Sequence, residues 1–285
     1  MNSNSLNNKA LHVNLREADM QFFRYNCGGW KAAATLSECY QPDRCGPRRF
    51  SFVGGGGKTS AIFKMAEELS DLAVLSRPGA EKRKVLIAPT TKMYLPRDGC
   101  VLLSPRLCEV REALAVEPYV VIGQRAALPA SAFEPKIEGL PSSFLEEAAM
   151  HADVVLAEAD GARHMPAKAP AEHEPVLFPG TTDVAAVMGL DCLYRPVREV
   201  CHRPELVCRL LGVSPEHLLT PEEAARLLMS EKGQRKDVGT GQEFYVLLNK
   251  ADGPEQLCLA GEVAKNLESM GCRHIAASSL SPAEG

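Results

Sequence analysis

The sequence predicts an α/β fold: a mainly parallel sheet with helices on both faces and helical insertions. Short apolar segments such as KVLIAPTT and DVVLAEADG alternate with segments of helical periodicity, which is typical of buried parallel strands joined by helices. A run of four glycines at residues 54–57 separates one such strand from the helix that follows it. At 285 residues the chain is long enough to bury the core of one large domain.

The predicted elements follow one another in a strand–helix alternation. The strand RFSFVG precedes the glycines, and the helix KTSAIFKMAEELSDL follows them with apolar residues at helical spacing. The later strands and helices are KVLIAPTT, residues 119–122, SSFLEEAAMHA, DVVLAEADG, TDVAAVMGL, residues 204–211 and 221–229, EFYVLLNKAD, PEQLCLAGEVAKNLESMG and CRHIAAS. Residues 1–47 are expected to be an irregular leader, since glycine and proline interrupt any periodicity. Residues 48–285 are expected to form a single domain with insertions at about 93–150 and 190–240.

The composition excludes several classes of protein. A net charge of −4 gives no reason to expect nucleic acid as a partner, and the apolar runs are too short to span a membrane. The first twenty residues contain no apolar segment of a secretory signal, so a cytoplasmic location is expected. The ten cysteines form no CxxC pair, which argues against a structural zinc site.

The glycine run resembles a phosphate-binding loop. Gly57, Lys58 and Thr59 fit the end of the pattern GxxxxGK[ST], although Phe52 occupies the place of its first glycine. The shorter form KGGxGK[ST], found in the SIMIBI class of P-loop NTPases, fits better, with Val53 in place of its first lysine. The residues that match this form are Gly54, Gly55, Gly57, Lys58 and Thr59. The chain is therefore expected to be a P-loop nucleotide-binding domain of SIMIBI type.

Each part of such a loop has its own task. Backbone N–H groups of Gly54, Gly55, Gly56 and Gly57 would wrap the phosphates of GTP or ATP. Lys58 would contact the β- and γ-phosphates, and Thr59 would be a ligand of Mg²⁺. The alternative is a glycine-rich turn followed by an incidental lysine.

A predicted strand ends in the acidic sequence EADG. Written as [DE]xxG, it gives Glu158 the metal-side role and lets the backbone of Gly161 approach the γ-phosphate. Asp160 is a second carboxylate that could help to bind Mg²⁺ or orient water. We therefore expect Lys58, Glu158 and Asp160 to be catalytic, with Thr59 and the two carboxylates around the metal. The alternative is a pair of acids in a solvated turn.

The sequence NKAD at the end of a later strand matches the NKxD element of GTPases. The Asp252 carboxylate can accept hydrogen bonds from guanine N1–H and its exocyclic amine, which adenine cannot offer. Asn249 can bond the base edge at N7, and the Lys250 stem can cover its face. GTP is therefore favoured over ATP, with an ordinary polar loop as the alternative.

Two polar segments are candidates for a switch or for contact with a second substrate. One segment ends a strand with Thr90, Thr91 and Lys92, for which a polar turn is an equal alternative. The other is a proline-rich loop after EADG, and its candidates are Arg163, Lys168 and His173. Arg163 and Lys168 could equally be surface charges, and the alternative for His173 is a hydrogen-bonded structural residue.

The order VGGGGKT, TTK, EADGARHMPAKAPAEHEP, GLD, HRPE and LNKAD resembles the YqeC family from about residue 50 to the C-terminus. The resemblance implies an accessory role for a selenium-dependent molybdenum hydroxylase, with that hydroxylase or its cofactor machinery as the partner. The resemblance implies which cellular process the protein serves, but it does not imply which reaction the protein carries out. A homodimer is left open.

The elements EADG and NKAD are also similar to those of GTPases that insert nickel into hydrogenase and urease. This similarity favours a Mg²⁺-dependent, GTP-binding maturation factor, with slow hydrolysis because no arginine finger or water-positioning glutamine stands out. One rival is an ATP-dependent small-molecule kinase or ligase whose acceptor contacts Arg163 and Lys168. The other is a nucleotide-binding scaffold that does not hydrolyse.

Overall fold

The computed structural model describes residues 20–40, 46–75, 83–96, 98–127 and 135–280. Its strands are β1 (Met20–Asn26), β2 (Gly29–Ala33), β3 (Arg48–Gly54), β4 (Val85–Ile87), β5 (Lys92–Tyr94), β6 (Cys100–Leu103), β7 (Tyr119–Arg125), β8 (Lys136–Glu138), β9 (Val154–Glu158), β10 (Ala167–Lys168), β11 (Asp183–Gly189), β12 (Cys201–His202), β13 (Glu243–Asn249) and β14 (His274–Leu280). Its helices are α1 (Leu36–Cys39), α2 (Lys58–Leu75), α3 (Leu107–Val116), α4 (Ser142–Ala149), α5 (Val197–Val200), α6 (Pro204–Leu211), α7 (Pro221–Met229) and α8 (Gly253–Ser269).

Twelve strands form one large sheet in the order β2-β1-β14-β13-β11-β3-β9-β4-β7-β8-β5, and β6 pairs with β7 off this path. The strands from β14 to β7 are mutually parallel, whereas β1, β2, β5 and β8 pair antiparallel at the two ends. The predicted α/β class with a mainly parallel sheet is confirmed. The assignment to the SIMIBI type stays a prediction.

Successive side chains of a strand point to opposite faces of the sheet, and in the central strands both sets of side chains are buried. On β13, Val246 and Leu248 belong to the core under α8, and Tyr245 and Leu247 belong to the core under α2. Helices therefore cover both faces of the sheet. None of the helices in the described part of the chain combines the length and the apolar character needed to cross a membrane.

The structure differs from the expected irregular leader over residues 20–39. β1 pairs with β14, and a two-residue turn joins it to β2. Both turn residues, Cys27 and Gly28, have positive φ (49° and 79°), as the tightest hairpin turns require. The glycine that interrupted the sequence periodicity is thus part of a hairpin. Residues 1–19 lie outside the described residues, and a domain boundary near residue 47 stays a prediction.

The two expected insertions also differ from each other. Residues 93–150 contain α3 and α4, but β6, β7 and β8 from this segment extend the main sheet. The sequence predicts a strand at residues 119–122, which is part of β7, whereas β6 and β8 have only four and three residues, too few for a periodicity to be recognised. Residues 190–240 form a mainly helical excursion with α5, α6 and α7, and its strand β12 pairs with β10 in a separate two-stranded sheet.

Candidate functional site

The four glycines form a loop at the carboxyl end of β3, between the neighbouring strands β11 and β9. Gly56 and Gly57 have φ values of 73° and 126°, which side chains of L-residues rarely allow. A Cβ at Gly56 would collide with the backbone of Gly189, and one at Gly57 would collide with the side-chain amide of Asn249. Close packing around the turn from strand to helix therefore requires glycine here. The run is not a flexible linker.

The backbone donors of this loop are not all available to a ligand. The N–H groups of Gly55 and Gly56 donate to the carbonyls of Val187 (2.9 Å) and Met165 (3.0 Å). Gly54 N–H donates to Asp160 Oδ2 at 3.1 Å. Sequence reasoning expected all these groups to wrap phosphates, whereas the structure places three of them in internal hydrogen bonds. The donors left for an anion belong to the first turn of α2, whose N–H groups have no intrahelical acceptors.

Lys58 is the first residue of α2, and its ammonium lies under the loop. Its Nζ is 2.6 Å from Gly54 O, 3.2 Å from Asp160 Oδ1 and 3.9 Å from Glu158 Oε1. The side chain is buried and its charge is balanced by these two carboxylates. The structure therefore brings together the three residues that the sequence predicts to be catalytic.

Thr59 and Glu158 meet at the edge of the loop. Glu158 ends β9, the strand that pairs with β3, so its carboxylate lies beside the start of α2. Thr59 Oγ1 donates to Glu158 Oε2 at 2.7 Å. Burial raises the pKa of Glu158, and Lys58 and the Thr59 hydroxyl act in the opposite direction. A hydroxyl and a carboxylate side by side are oxygen ligands of the kind that Mg²⁺ uses while it retains several waters.

Asp160 points away from this pair into the protein. It is fully buried, and its Oδ2 lies 3.0 Å from the ammonium of Lys168. Lys168 Nζ also contacts Glu174 Oε2 (2.7 Å) and Gly161 O (2.8 Å). Lys168 was expected to be a substrate contact or a surface charge, and the structure corrects both expectations, because the side chain is completely buried behind the carboxylates.

The network continues from Glu174 toward the helical excursion. Arg203, at the start of α6, forms an ion pair with Glu174. Burial would raise the pKa of Glu174, but the hydrogen bonds from Arg203 and Lys168 outweigh it and lower the pKa to about 2. Lys236 Nζ donates to the carbonyls of Ala171, Glu172 and Glu174, so the loop after α7 folds back onto this segment.

The proposed metal ligands are thus divided between two places. Thr59 and Glu158 are adjacent, whereas Asp160 is held by Gly54 N–H, Lys58 and Lys168. Within the described residues no group of three or more His, Cys, Asp or Glu side chains could hold a metal ion. Magnesium binding stays a prediction, with Thr59 and Glu158 as the protein ligands that fit it.

The residues proposed to bind the base lie on the other side of the loop. β13 ends at Asn249, two strands from β3, and Asn249 Nδ2 donates to Gly56 O at 2.7 Å. Asn249 Oδ1 accepts a hydrogen bond from Ser278 Oγ at 2.7 Å. Lys250 pairs with Asp191 at 2.7 Å, and exposed Asp252 accepts from Ser279 Oγ at 3.2 Å. The NKAD turn and the glycine loop are therefore in direct contact.

A cavity of about 510 Å³ opens in front of the loop. It is lined by the predicted residues Gly56, Gly57, Lys58, Thr59, Thr91, Lys92, Glu158, Gly161, Arg163 and His173. Thr90 instead links the end of β9 to the loop before β11, since its hydroxyl lies 3.2 Å from the carbonyl oxygen of Glu158 and 2.5 Å from that of Val176. Asn249, Lys250 and Asp252 are not among the residues that line this cavity.

Sequence reasoning missed Tyr94, Lys136 and His164, which also line the cavity. Tyr94 and Lys136 are directly opposite each other on the antiparallel strands β5 and β8. These strands have three residues each, too few for an alternating pattern to stand out. His164 lies in the same loop as Arg163, and only its position next to that candidate could have indicated it.

Comparisons with known proteins agree with the family resemblance. The family model described as YqeC protein matches residues 50–205, which include the loop and the carboxylates but not the NKAD turn. The chain is 29% identical over 232 residues to a protein of Escherichia coli (strain K12) named "Uncharacterized protein YqeC", covering 78% of this chain and 83% of the relative. No solved structure matches the chain.

Proposed function

The chain belongs to the YqeC family, and we propose that it is a Mg²⁺-dependent nucleotide-binding protein that hydrolyses GTP slowly. The observation that carries this proposal is the contact of Thr59 with Glu158 at 2.7 Å, at the start of a helix that follows a closely packed glycine loop. The N–H groups at the start of α2, the Lys58 ammonium and the two oxygen groups proposed to hold the metal then all lie next to the end of β3. These are the parts that phosphoryl transfer requires.

The phosphates would lie against the first turn of α2, where the helix dipole and free N–H groups favour negative charge. Lys58 would exchange its contact with Gly54 O for the β- and γ-phosphate oxygens. Thr59 and Glu158 would hold Mg²⁺, which neutralises the charge that develops on the phosphates. Asp160 remains bound to Lys168 and Gly54 N–H, so it would position the loop and not contact the metal.

The base would lie beside the NKAD turn. Asp252 is exposed and can accept hydrogen bonds from the guanine edge, while Asn249 keeps one amide hydrogen after donating to Gly56 O. The bond from Asn249 to the loop would couple recognition of the base to the position of the phosphates. A hydroxylase dependent on molybdenum, or its cofactor machinery, is the proposed partner, and this part of the proposal depends on the family resemblance alone.

A second candidate function is transfer of phosphate from ATP to a small molecule. The cavity favours it, because it extends from the loop to Tyr94 and Lys136, away from the residues that would read a base. Such an enzyme would release phosphate or product only when the acceptor is present.

The test is equilibrium binding of fluorescent GTP and ATP analogues with Mg²⁺. Lys58→Ala should weaken GTP binding by about tenfold to a hundredfold, since it removes a charge-assisted contact to phosphate. Asp252→Asn should shift the preference from guanine to xanthine, whose 2-oxo group needs a donor. Lys265→Ala, an exposed lysine on α8, is the matched control and should bind as wild type. If the wild type preferred ATP and Asp252→Asn kept that preference, the second candidate function, phosphate transfer from ATP to a small molecule, would be favoured instead.

A further inference from the structure

One wall of the cavity carries several basic side chains that the nucleotide proposal does not use. It is built by β5 and β8, in which Lys92 pairs with Glu138 and Tyr94 pairs with Lys136. The intervening residues Met93 and Ile137 are buried in the core. Because side chains alternate along a strand, Lys92, Tyr94 and Lys136 all face the cavity, and we call them, together with Arg163, the basic wall.

The side chains of this wall are held in place by contacts that leave their charge available. Lys136 Nζ lies 4.2 Å from the centre of the Tyr94 ring, and the Tyr94 hydroxyl lies 2.6 Å from His164 Nε2. Lys92 has an ion pair with Glu138, but at 3.9 Å and with both side chains partly exposed it is weak. Among the described residues, Lys136 and Arg163 have no ion pair.

The carboxylates that line the cavity offset the charge of the basic wall only in part, since Glu158 interacts electrostatically with Lys58 first and with Lys136 less. Glu174 is already paired with Lys168 and Arg203, and Glu158 is in contact with Thr59 and near Lys58. With Mg²⁺ beside Glu158, the balance of charge in the remaining space would be positive. A cavity with convergent cations attracts anions and concentrates them.

The position of the wall separates it from the nucleotide. The NKAD turn that would read the base contacts the loop at Gly56, and Asn249, Lys250 and Asp252 lie outside the cavity lining. A nucleotide that runs from this turn to the first turn of α2 therefore ends at the cavity with its γ-phosphate. The space between the γ-phosphate and the basic wall is left for a second ligand.

We propose that the basic wall binds the phosphate group of a small-molecule ligand, next to the γ-phosphate of the nucleotide. Lys92, Lys136 and Arg163 supply the charge, and the Tyr94–His164 pair fixes the geometry. This inference rests on the proposed nucleotide function and names the class of ligand that would accompany the nucleotide: a phosphorylated small molecule.

The experiment is calorimetric titration of inorganic phosphate into the full chain. A non-hydrolysable GTP analogue and Mg²⁺ are present at concentrations that saturate each variant, so the γ-phosphate position is filled. Lys136→Gln and Arg163→Gln should each weaken phosphate binding by about tenfold. Lys136→Arg keeps the charge and the contact with Tyr94, so it should retain most of the wild-type affinity for phosphate. The exposed control Lys265→Ala should bind phosphate as the wild type does.

Two results would overturn the proposal: no phosphate binding to the wild type with the analogue bound, or equal binding by wild type and Lys136→Gln. Failure of the nucleotide proposal gives a different result, because the analogue itself would then not bind. In that case phosphate is titrated into the nucleotide-free protein, and a tenfold loss in Lys136→Gln still supports the basic wall, whereas no loss rejects it.

Discussion

Two regions of the molecule, the buried network behind the loop (Asp160, Lys168 and Glu174) and the basic wall of the cavity, carry similar charged groups in opposite states. Behind the loop, Asp160 and Lys168 are both 0% exposed and lie 3.0 Å apart. On the basic wall, Lys92 and Glu138 are 51% and 31% exposed and lie 3.9 Å apart. Removing one partner of a buried pair leaves an uncompensated charge, whereas an exposed pair is solvated by water. The buried network therefore holds the loop in shape, and the basic wall keeps its charge for a ligand.

The largest effect is expected from breaking the buried network at Lys168. Lys168→Met keeps much of the side-chain length but leaves Asp160 and Glu174 without their shared cation. The free energy of unfolding, measured with urea near pH 7, should fall by about 3 to 5 kcal/mol.

The matched control is Lys92→Met on the basic wall. It removes a lysine whose ion pair is exposed and long, so the loss in the free energy of unfolding should be about 0.5 kcal/mol or less. Equal losses for the two variants would show that burial does not separate the buried network from the basic wall energetically, and the comparison would fail.

A smaller effect is expected from pH, through Glu174. Its pKa is lowered to about 2 in the folded protein by Arg203 and Lys168, which outweigh burial. Because the folded value is below the unfolded one, the stabilisation is complete above the unfolded pKa and is lost as pH falls through the folded pKa. Urea unfolding should therefore show a loss of up to about 3 kcal/mol between pH 5 and pH 2 from this group.

The Glu174 prediction is checked against its own variants. Glu174→Gln should be less stable at pH 7 and should show a flatter decline below pH 5. In Glu138→Gln, which changes the partly exposed partner of Lys92, the free energy of unfolding should decline below pH 5 with the wild-type slope. A wild-type slope in Glu174→Gln would mean that another carboxyl dominates acid unfolding.

The central part of the fold could be predicted because each segment carries its own signal. β9, β11 and β13 contain continuous apolar runs, and the glycine loop marks the end of β3 and the turn into α2. β1 and β2 could not be predicted, because β1 takes its register from β14 and the edge strand β2 takes its register from β1, while the alternation within each strand is weak. β5 and β8 were missed because a three-residue strand is defined by pairing and not by periodicity.

The site shows the same division. Lys58, Thr59 and Glu158 could be predicted to meet, because neighbouring parallel strands end at the same edge of a sheet. The burial of Lys168 and its pairing with Asp160 could not, since a charged loop residue is usually exposed. The sequence gives the charge of a side chain, but its partners depend on how the loop after β9 folds back across the sheet.

The smallest effect is expected at Glu158, which contacts Thr59 at the edge of the loop and lines the cavity. Burial raises its pKa, with Lys58 and Thr59 acting against this shift, so the folded state binds a proton at this carboxyl more readily than the unfolded state does. Stability from this group is present at low pH and declines as pH rises through the folded pKa. Glu158→Gln, which stays neutral, should therefore be more stable than wild type near pH 7.5, by about 1 kcal/mol or less. The same variant should lose Mg²⁺-dependent nucleotide binding, measured by fluorescence with and without the metal.

Asp160→Asn should instead lower the free energy of unfolding, because it leaves Lys168 without one of its anions. If Glu158→Gln were the less stable of the two, the Glu158 charge would be part of the stabilising buried network, and the assignment of Glu158 to the ligand-binding side of the loop would be wrong.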